Sequence, residues 1–249
     1  MKFSELSNAS EQSSSPSKKL AIMQPYFLPH IQYFQLISAV DTFVIYDDVH
    51  FINRGWINRN RILLKGVPYM FTIPLQAASQ NKLICEIQLS NYNLWQTKAL
   101  RTLALQYKKA PCYSSVMPLL EKIFRYQATH LTEFILSSLK EVVQYIGLKT
   151  VIKPTSRIYE NSHLHAQTRI LDICKSEYAQ IYINTSGGRN LYDSDVFIEN
   201  GIQLKFLSSQ PSKYHQNQAE FIGSLSIIDV LMFNELEVIR SMLKDYKLL

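Results

Sequence analysis

Three clusters of side chains in this 249-residue chain have the types and spacing that chemistry needs. The first is the adjacent pair Asp47 and Asp48, which follows the apolar run Phe43 to Tyr46. A carboxylate at the end of a strand can take a proton, bind a sugar hydroxyl or hold a cation, and it can equally form a salt bridge with arginine. Adjacent side chains of an extended segment point to opposite faces, so one of the two is expected to face a ligand while the other caps or pairs. The second cluster runs from Asn53 to Arg61: Trp56 offers a stacking surface, Asn58 and Asn60 mixed donor and acceptor edges, and Arg59 and Arg61 planar forks for phosphate or carboxylate. Extended backbone there puts the two asparagines on one face and the two arginines on the other. The third is Ser186, Gly187, Gly188 and Arg189, placed between a strand and a helix, where backbone amides can form an anion-binding nest that Arg189 complements.

These clusters need a frame. Leu20 to Met23 reads as a buried strand and stops at Gln24-Pro25-Tyr26-Phe27-Leu28-Pro29. The two prolines there permit neither ladder nor helix until Pro29 has passed. Gln24 and Tyr26 are candidate binding residues in this turn; close packing of Tyr26 and Phe27 in a strand-to-helix connection is the alternative. Ile31 to Ala39 fits a helix and Thr42 to Tyr46 a second strand, together a right-handed βαβ unit with both strand ends on one rim. Ligands in open α/β sheets bind along that rim.

Arg61 to Leu64 and Val67 to Leu75 read as a hairpin turning at Lys65-Gly66, with Leu83 to Leu89 as a third strand beside it. Helices are expected over Trp95 to Lys108, Ser114 to Tyr126 and Thr132 to Ile146, the last stopped by Gly147. Alternation then resumes: strands at Thr150 to Lys153, Gln180 to Asn184 and Ile202 to Phe206, helices at Ala166 to Lys175 and Asp193 to Glu199. A possible capping box at Ser226 to Asp229 opens one long core-facing final helix. The fold class expected is α/β, a mainly parallel Rossmann-like sheet with an inserted β-hairpin and a helical subdomain. Residues 1–18, rich in serine and charge, read as a disordered tail, and 19–249 as a single elaborated domain with 94–147 as a helical insertion or covering layer.

A chain of this length can bury roughly 70% of its unfolded surface, and 47% hydrophobic with 18% charged residues is a globular composition. No apolar run reaches the ~18 residues of a membrane span, and no signal peptide is read, so the expected location is the cytoplasm. The charge of +6 permits an anionic partner, a small-molecule substrate such as a sugar nucleotide or a phosphorylated sugar, a nucleic acid or a membrane surface, without choosing among them. Lysines and arginines scattered apart from the Arg54 to Arg61 cluster disfavour bulk nucleic-acid binding, and the Lys18-Lys19 and Lys108-Lys109 pairs read as solvated. Cys85, Cys112 and Cys174 are far apart and odd in number, which points to reduced thiols. No metal-ligand spacing is found, and no cofactor is assigned. His163 and His165 fit surface positions better than a metal or acid–base site, and no serine or cysteine hydrolase motif occurs.

The stretches Met23 to Pro29, Phe43 to Val49, Trp56 to Ile62, Tyr182 to Asp193, Gly201 to Phe206 and Leu225 to Asp229 together resemble the WbqC-like family of bacterial proteins. The chain departs from that pattern at His30, Gln32 and His50. The resemblance implies an accessory enzyme of surface-polysaccharide or O-antigen biosynthesis: a transferase acting on a nucleotide-activated amino sugar, with acyl or aminoacyl transfer to the sugar amine as one activity. Asp47 or Asp48 is then the catalytic carboxylate, and Gln24, Tyr26, Trp56, Asn58 to Arg61 and Ser186 to Arg189 form the binding walls. A noncatalytic module holding an anionic metabolite or a partner enzyme of the same pathway is the alternative.

Overall fold

The computed structural model describes residues 17–90, 92–210, 212–218 and 220–249. Strand β1 (Lys19–Met23), helix α1 (Ile31–Ser38) and strand β2 (Thr42–Ile45) form the βαβ unit, with Leu20 registered against Thr42 and Met23 against Ile45. The hairpin follows as β3 (Arg59–Leu64) and β4 (Val67–Thr72). Its two-residue turn needs positive φ at both central positions, supplied by Lys65 at +51° and Gly66 at +79°.

The expected third strand is largely absent. Ile84–Glu86 is a 3-10 turn, and only Gln88–Leu89 forms a strand, β6, which pairs with β5 (Leu75–Gln76) and not with the hairpin. Apolar alternation over Leu83 to Leu89 is satisfied instead by sinking Ile84 and Ile87 into the core from a turn. Helices α2 (Tyr92–Tyr107), α3 (Tyr113–Arg125) and α4 (Leu131–Ile146) come next, α4 ending at Gly147 with φ of +85°. Then come β7 (Val151–Lys153), α5 (Ala166–Ser176), β8 (Ile181–Thr185), α6 (Ser194–Glu199) and β9 (Gln203–Ser209).

The single long final helix is two helices, α7 (Ile227–Phe233) and α8 (Leu236–Met242), interrupted at extended Asn234. Ser226 accepts from the Ile228 amide as an N-cap, but the box is not closed, because Asp229 turns into the core and bonds Tyr107, Tyr214 and Gln216. An edge strand the sequence reading lacked, β10 (Tyr246–Leu248), closes the chain antiparallel to β9.

The main sheet has the order β10-β9-β8-β1-β2-β7, parallel except at β10. The chain runs outward from β1 through β2 to β7, then returns to lay β8 and β9 on the other side, so the order switches between β1 and β8. Both faces are covered, which is why β1 and β2 read as continuous apolar runs. Ala21, Phe43 and Ile45 share a core with α1, the hairpin and α2 to α4, while Leu20, Ile22 and Val44 pack against Ile170, Ile173 and Phe197 of α5 and α6. Most of the expected tail, residues 1–16, lies outside the described residues. Lys18 belongs to the fold: its Nζ meets Glu177 Oε2 at 3.0 Å, which Lys153 also contacts, at Oε1. Among the described residues no helix is long and apolar enough to cross a membrane.

Candidate functional site

The proline-bracketed turn is a packing device. Phe27 and Leu28 are fully buried, and the Phe27 ring lies 5.5 to 6.0 Å from those of Phe71, Trp95, Phe124 and Phe134. Leu28 has φ of +38°, a strained value for a branched residue, and such strain persists only where the surroundings over-determine it. Here they do: the Leu28 carbonyl accepts from Asn60 Nδ2 at 2.8 Å and Ser226 Oγ at 2.7 Å, and the Phe27 amide donates to the Ile57 carbonyl at 3.0 Å. Gln24 is half-buried, its carbonyl taken by Tyr33 Oη, and Tyr26 is half-buried against the Tyr33 ring.

Most of the Asn58 to Arg61 donors serve that turn and its neighbours. The asparagines are buried and the arginines half-buried, as alternation requires. Asn58 Nδ2 donates to the Ile73 carbonyl, Asn60 holds the turn, Arg59 Nε donates to the Gly55 carbonyl, and Arg61 Nη2 donates to the Ser224 carbonyl. Arg61 also stacks over exposed Trp56, 5.5 Å from its centroid, although its Nε is buried without a partner.

The two aspartates diverge. Asp48 turns toward α5, where it pairs with buried Arg169 and accepts a hydrogen bond from Ser156 Oγ. Arg169 is further held by Asn161 at 2.9 Å and lies over the Tyr46 ring. Its partner is therefore an α5 arginine and none of those between Arg54 and Arg61. Asp47 turns to the opposite face. Its Oδ1 accepts from Thr155 Oγ1 at 2.6 Å and the Ser156 amide at 3.2 Å, while Oδ2 is buried with no partner. Burial pushes the Asp47 carboxyl above its ordinary pKa, against the opposing pull of those two hydrogen bonds.

Asp47 lines a cleft of about 320 Å³ at the carboxyl ends of β2 and β7, shared with Cys85, His130, Thr132, Thr155 and Arg157. Thr132, at the start of α4, supplies a second buried polar atom with no partner, Oγ1. Buried polar groups are nearly always paired, so two unpaired ones on residues that line one cleft are unusual. Arg157 is exposed at the cleft and His130 is half-buried. Cys85 is tied in through its amide, which donates to the Asp47 carbonyl at 2.9 Å, and burial pushes its thiol up, away from the thiolate a nucleophile requires. Among the described residues no group of three or more metal-ligating side chains is assembled.

Ser186 to Arg189 opens a 3-10 turn at the end of β8, beside the β1 end at the switch point. Gly188 is buried where a Cβ would press within 3.3 Å of the Asn184 amide, and Arg189 lies over the Phe206 ring. His163 and His165 are exposed. The cleft residues outside Asp47 carried little sequence signal. Thr155 and Ser156 could have been found by applying the strand-end rule to β7, whereas His130, Thr132 and Cys85 reach the cleft only through tertiary packing.

Residues 24–241 match the family described as WbqC-like protein, and the chain belongs to that family. An uncharacterized protein of Mycobacterium tuberculosis, Rv1507c, is 29% identical over 219 residues, covering 87% of this chain and 94% of its own length. No solved structure matches.

Proposed function

We propose that this member of the WbqC-like family is a transferase that passes an acyl or aminoacyl group to the amine of a nucleotide-linked amino sugar, with the Asp47 cleft as the acceptor pocket. The observation that carries the reading is that Asp47 Oδ2 and Thr132 Oγ1, both buried without a hydrogen-bond partner, belong to residues lining the same cleft. The acceptor amine donates a hydrogen bond to Asp47 Oδ2. As its nitrogen attacks the donor carbonyl, the new N–C bond forms, the leaving group departs with the electrons of the broken bond, and the amine proton passes to Oδ2. Burial makes this carboxylate a stronger base than an exposed one.

Asp48 acts through Ser156, whose hydroxyl donates to Asp48 and whose amide donates to Asp47, so Asp48 and Arg169 position the base and do not transfer the proton. Arg157 at the mouth is assigned to an anionic group of the substrate, and Gln24 with Ser186 to Arg189, at the switch point, to the nucleotide. Asn58 and Asn60, whose side chains already bond the protein's own carbonyls, are assigned no ligand.

Full-length protein is incubated with a panel of acyl and aminoacyl donors and nucleotide-linked amino sugars, and transfer is read by mass spectrometry. Asp47→Asn is expected to lower turnover at least about a hundredfold with the fold retained; undiminished turnover removes Asp47 as the base. Thermal stabilisation by a sugar nucleotide with no transfer from any donor favours the second reading, a noncatalytic holder of anionic metabolites, which exposed Arg157 would serve equally well.

A further inference from the structure

Positive charge is unevenly divided along the chain. Between Val49 and Leu120 there are nine lysines and arginines and one acidic residue, Glu86, while the remaining residues together carry more acid than base. That stretch supplies the β3–β4 hairpin and α2, and neither contains an aspartate or glutamate. Charge asymmetry of this kind points to a polyanionic surface as partner.

Folding brings five of the nine cations to one face. Helix α2 exposes Leu94, Lys98, Arg101 and Leu105, spaced three or four residues apart and therefore on one side, and exposed Lys108 and Lys109 follow at its end. Two contacts lay α2 antiparallel beside β4: the Trp95 ring is 5.3 Å from that of Phe71, and the Lys65 amide donates to Gln106 Oε1 at 3.2 Å. Val67 and Tyr69 share the Phe71 side of β4 and so come out beside the helix, with Lys65 exposed at the turn. From Leu94 to Lys108 the face runs about 20 Å. None of Lys65, Lys98, Arg101, Lys108 and Lys109 pairs with a carboxylate among the described residues.

The apolar side chains on this face narrow the partner. Val67, Leu94, Leu105 and Tyr69 are 62, 60, 62 and 47% exposed. A nucleic-acid backbone would answer the charge and offer nothing to the leucines. A second copy of the chain would set like charges against each other. In a protein interface the apolar anchors gather at the centre, whereas along α2 they alternate with cations. That mixture suits a lipid headgroup layer, where lysine and arginine stems reach the phosphates while neighbouring apolar side chains enter the acyl boundary. At the joint between the hairpin tip and the end of α2 there is also an open cleft of about 400 Å³, walled by Lys65, Lys108 and Lys109 together with Leu105 and Phe233, which has room for one phosphate headgroup.

We infer that the α2 and hairpin face docks on the surface of an anionic phospholipid bilayer, its five cations on the headgroups and Val67, Tyr69, Leu94 and Leu105 entering the interface. The inference does not rest on the transfer reaction assigned to Asp47.

The test sediments full-length protein with vesicles of phosphatidylcholine alone and of phosphatidylcholine mixed with phosphatidylglycerol. Saturable binding to the mixed vesicles is expected, at least about tenfold tighter than to the neutral ones and lost in about 1 M salt, where the screening length falls to about 3 Å. Lys98→Ala combined with Arg101→Ala should weaken it about twentyfold, at about fivefold for each cation near an anionic surface. Lys140→Ala combined with Lys244→Ala removes the same charge from exposed positions elsewhere and should weaken it less than about threefold. Leu94→Ser combined with Leu105→Ser leaves the charge intact and should weaken it at least about tenfold. All six positions are exposed, so each variant is expected to keep the wild-type circular dichroism spectrum. Absence of binding, equal binding to the two vesicles, equal losses from the two charge pairs, or undiminished binding of the folded leucine variant overturns the proposal. Tighter binding to duplex DNA than to the mixed vesicles does so as well, because the face would then serve a polyanion without an apolar interior.

Discussion

The proline-bracketed turn and the Asp47 cleft both sit at strand ends on the same rim, and they handle their polar groups in opposite ways. Around the turn nearly every donor is used by the protein itself, the buried Arg61 Nε excepted: Asn60 and Ser226 converge on one carbonyl, Ile57 takes the Phe27 amide, and Tyr33 takes the Gln24 carbonyl. Around Asp47 two polar atoms are buried and left unpaired. Density of polar residues in a sequence therefore does not distinguish a scaffold from a site. What distinguishes them is which hydrogen-bonding groups remain unused after folding, and substitutions should separate the two regions by what they damage.

The largest effect is expected at the centre of the turn. Phe27→Ala removes a fully buried ring that contacts four other aromatic side chains, and should cost about 3 to 5 kcal/mol of unfolding free energy by chemical denaturation. Asn60→Ala comes next, at about 1 to 3 kcal/mol, because it strips the Leu28 carbonyl of one of two donors and releases a residue at φ of +38°. Neither change touches the cleft, so the fraction that folds should retain the specific activity of the wild type. A large activity loss with unchanged denaturation would show that Phe27 or Asn60 serves the ligand and not the packing of the turn, and would erase the contrast.

Much of this frame was legible in the sequence because it depends on local physics. The prolines after β1, the Lys65-Gly66 turn, Gly147 after α4 and the apolar runs of the parallel strands each act over a few residues. Asp47 was legible for the same reason, as a carboxylate closing a buried strand. The failures were tertiary. Leu83 to Leu89 has strand-like alternation but is used as a turn, and Asp229 looks like a capping-box residue but is claimed by Tyr107, Tyr214 and Gln216. Arg169 is 121 residues from Asp48, and Thr132 reaches the cleft from another layer, so neither partnership leaves a spacing to read.

A subtler effect is expected in the pH dependence of stability. The Asp47 pKa is raised in the folded state, so the stability this carboxyl contributes is present below the ordinary carboxylate pKa and is lost as pH rises through the raised folded value. Asp47→Asn cannot ionise and escapes that loss. Melting temperature measured from acid to neutral pH should therefore show the variant gaining on the wild type as pH rises, then holding a constant difference. A variant that loses ground over the same range would mean that the ionised carboxylate is stabilised in the fold, placing Asp47 with the satisfied groups of the turn.

The smallest effect on stability is the sharpest test of the comparison. Thr132→Val keeps the shape of a buried side chain and deletes a hydroxyl that has no partner. Removing a buried polar atom that makes no hydrogen bond forfeits nothing in the folded protein and relieves a desolvation cost, so unfolding free energy should hold or rise by about 1 kcal/mol, threonine and valine having similar helix propensities. The hydroxyl matters only when the cleft is occupied. Transfer, or sugar-nucleotide binding where no transfer occurs, should fall about fivefold for the loss of one hydrogen bond. A destabilisation well above 1 kcal/mol would show that the hydroxyl is already engaged within the fold, leaving the cleft with one unused group and removing the feature that sets it apart from the turn.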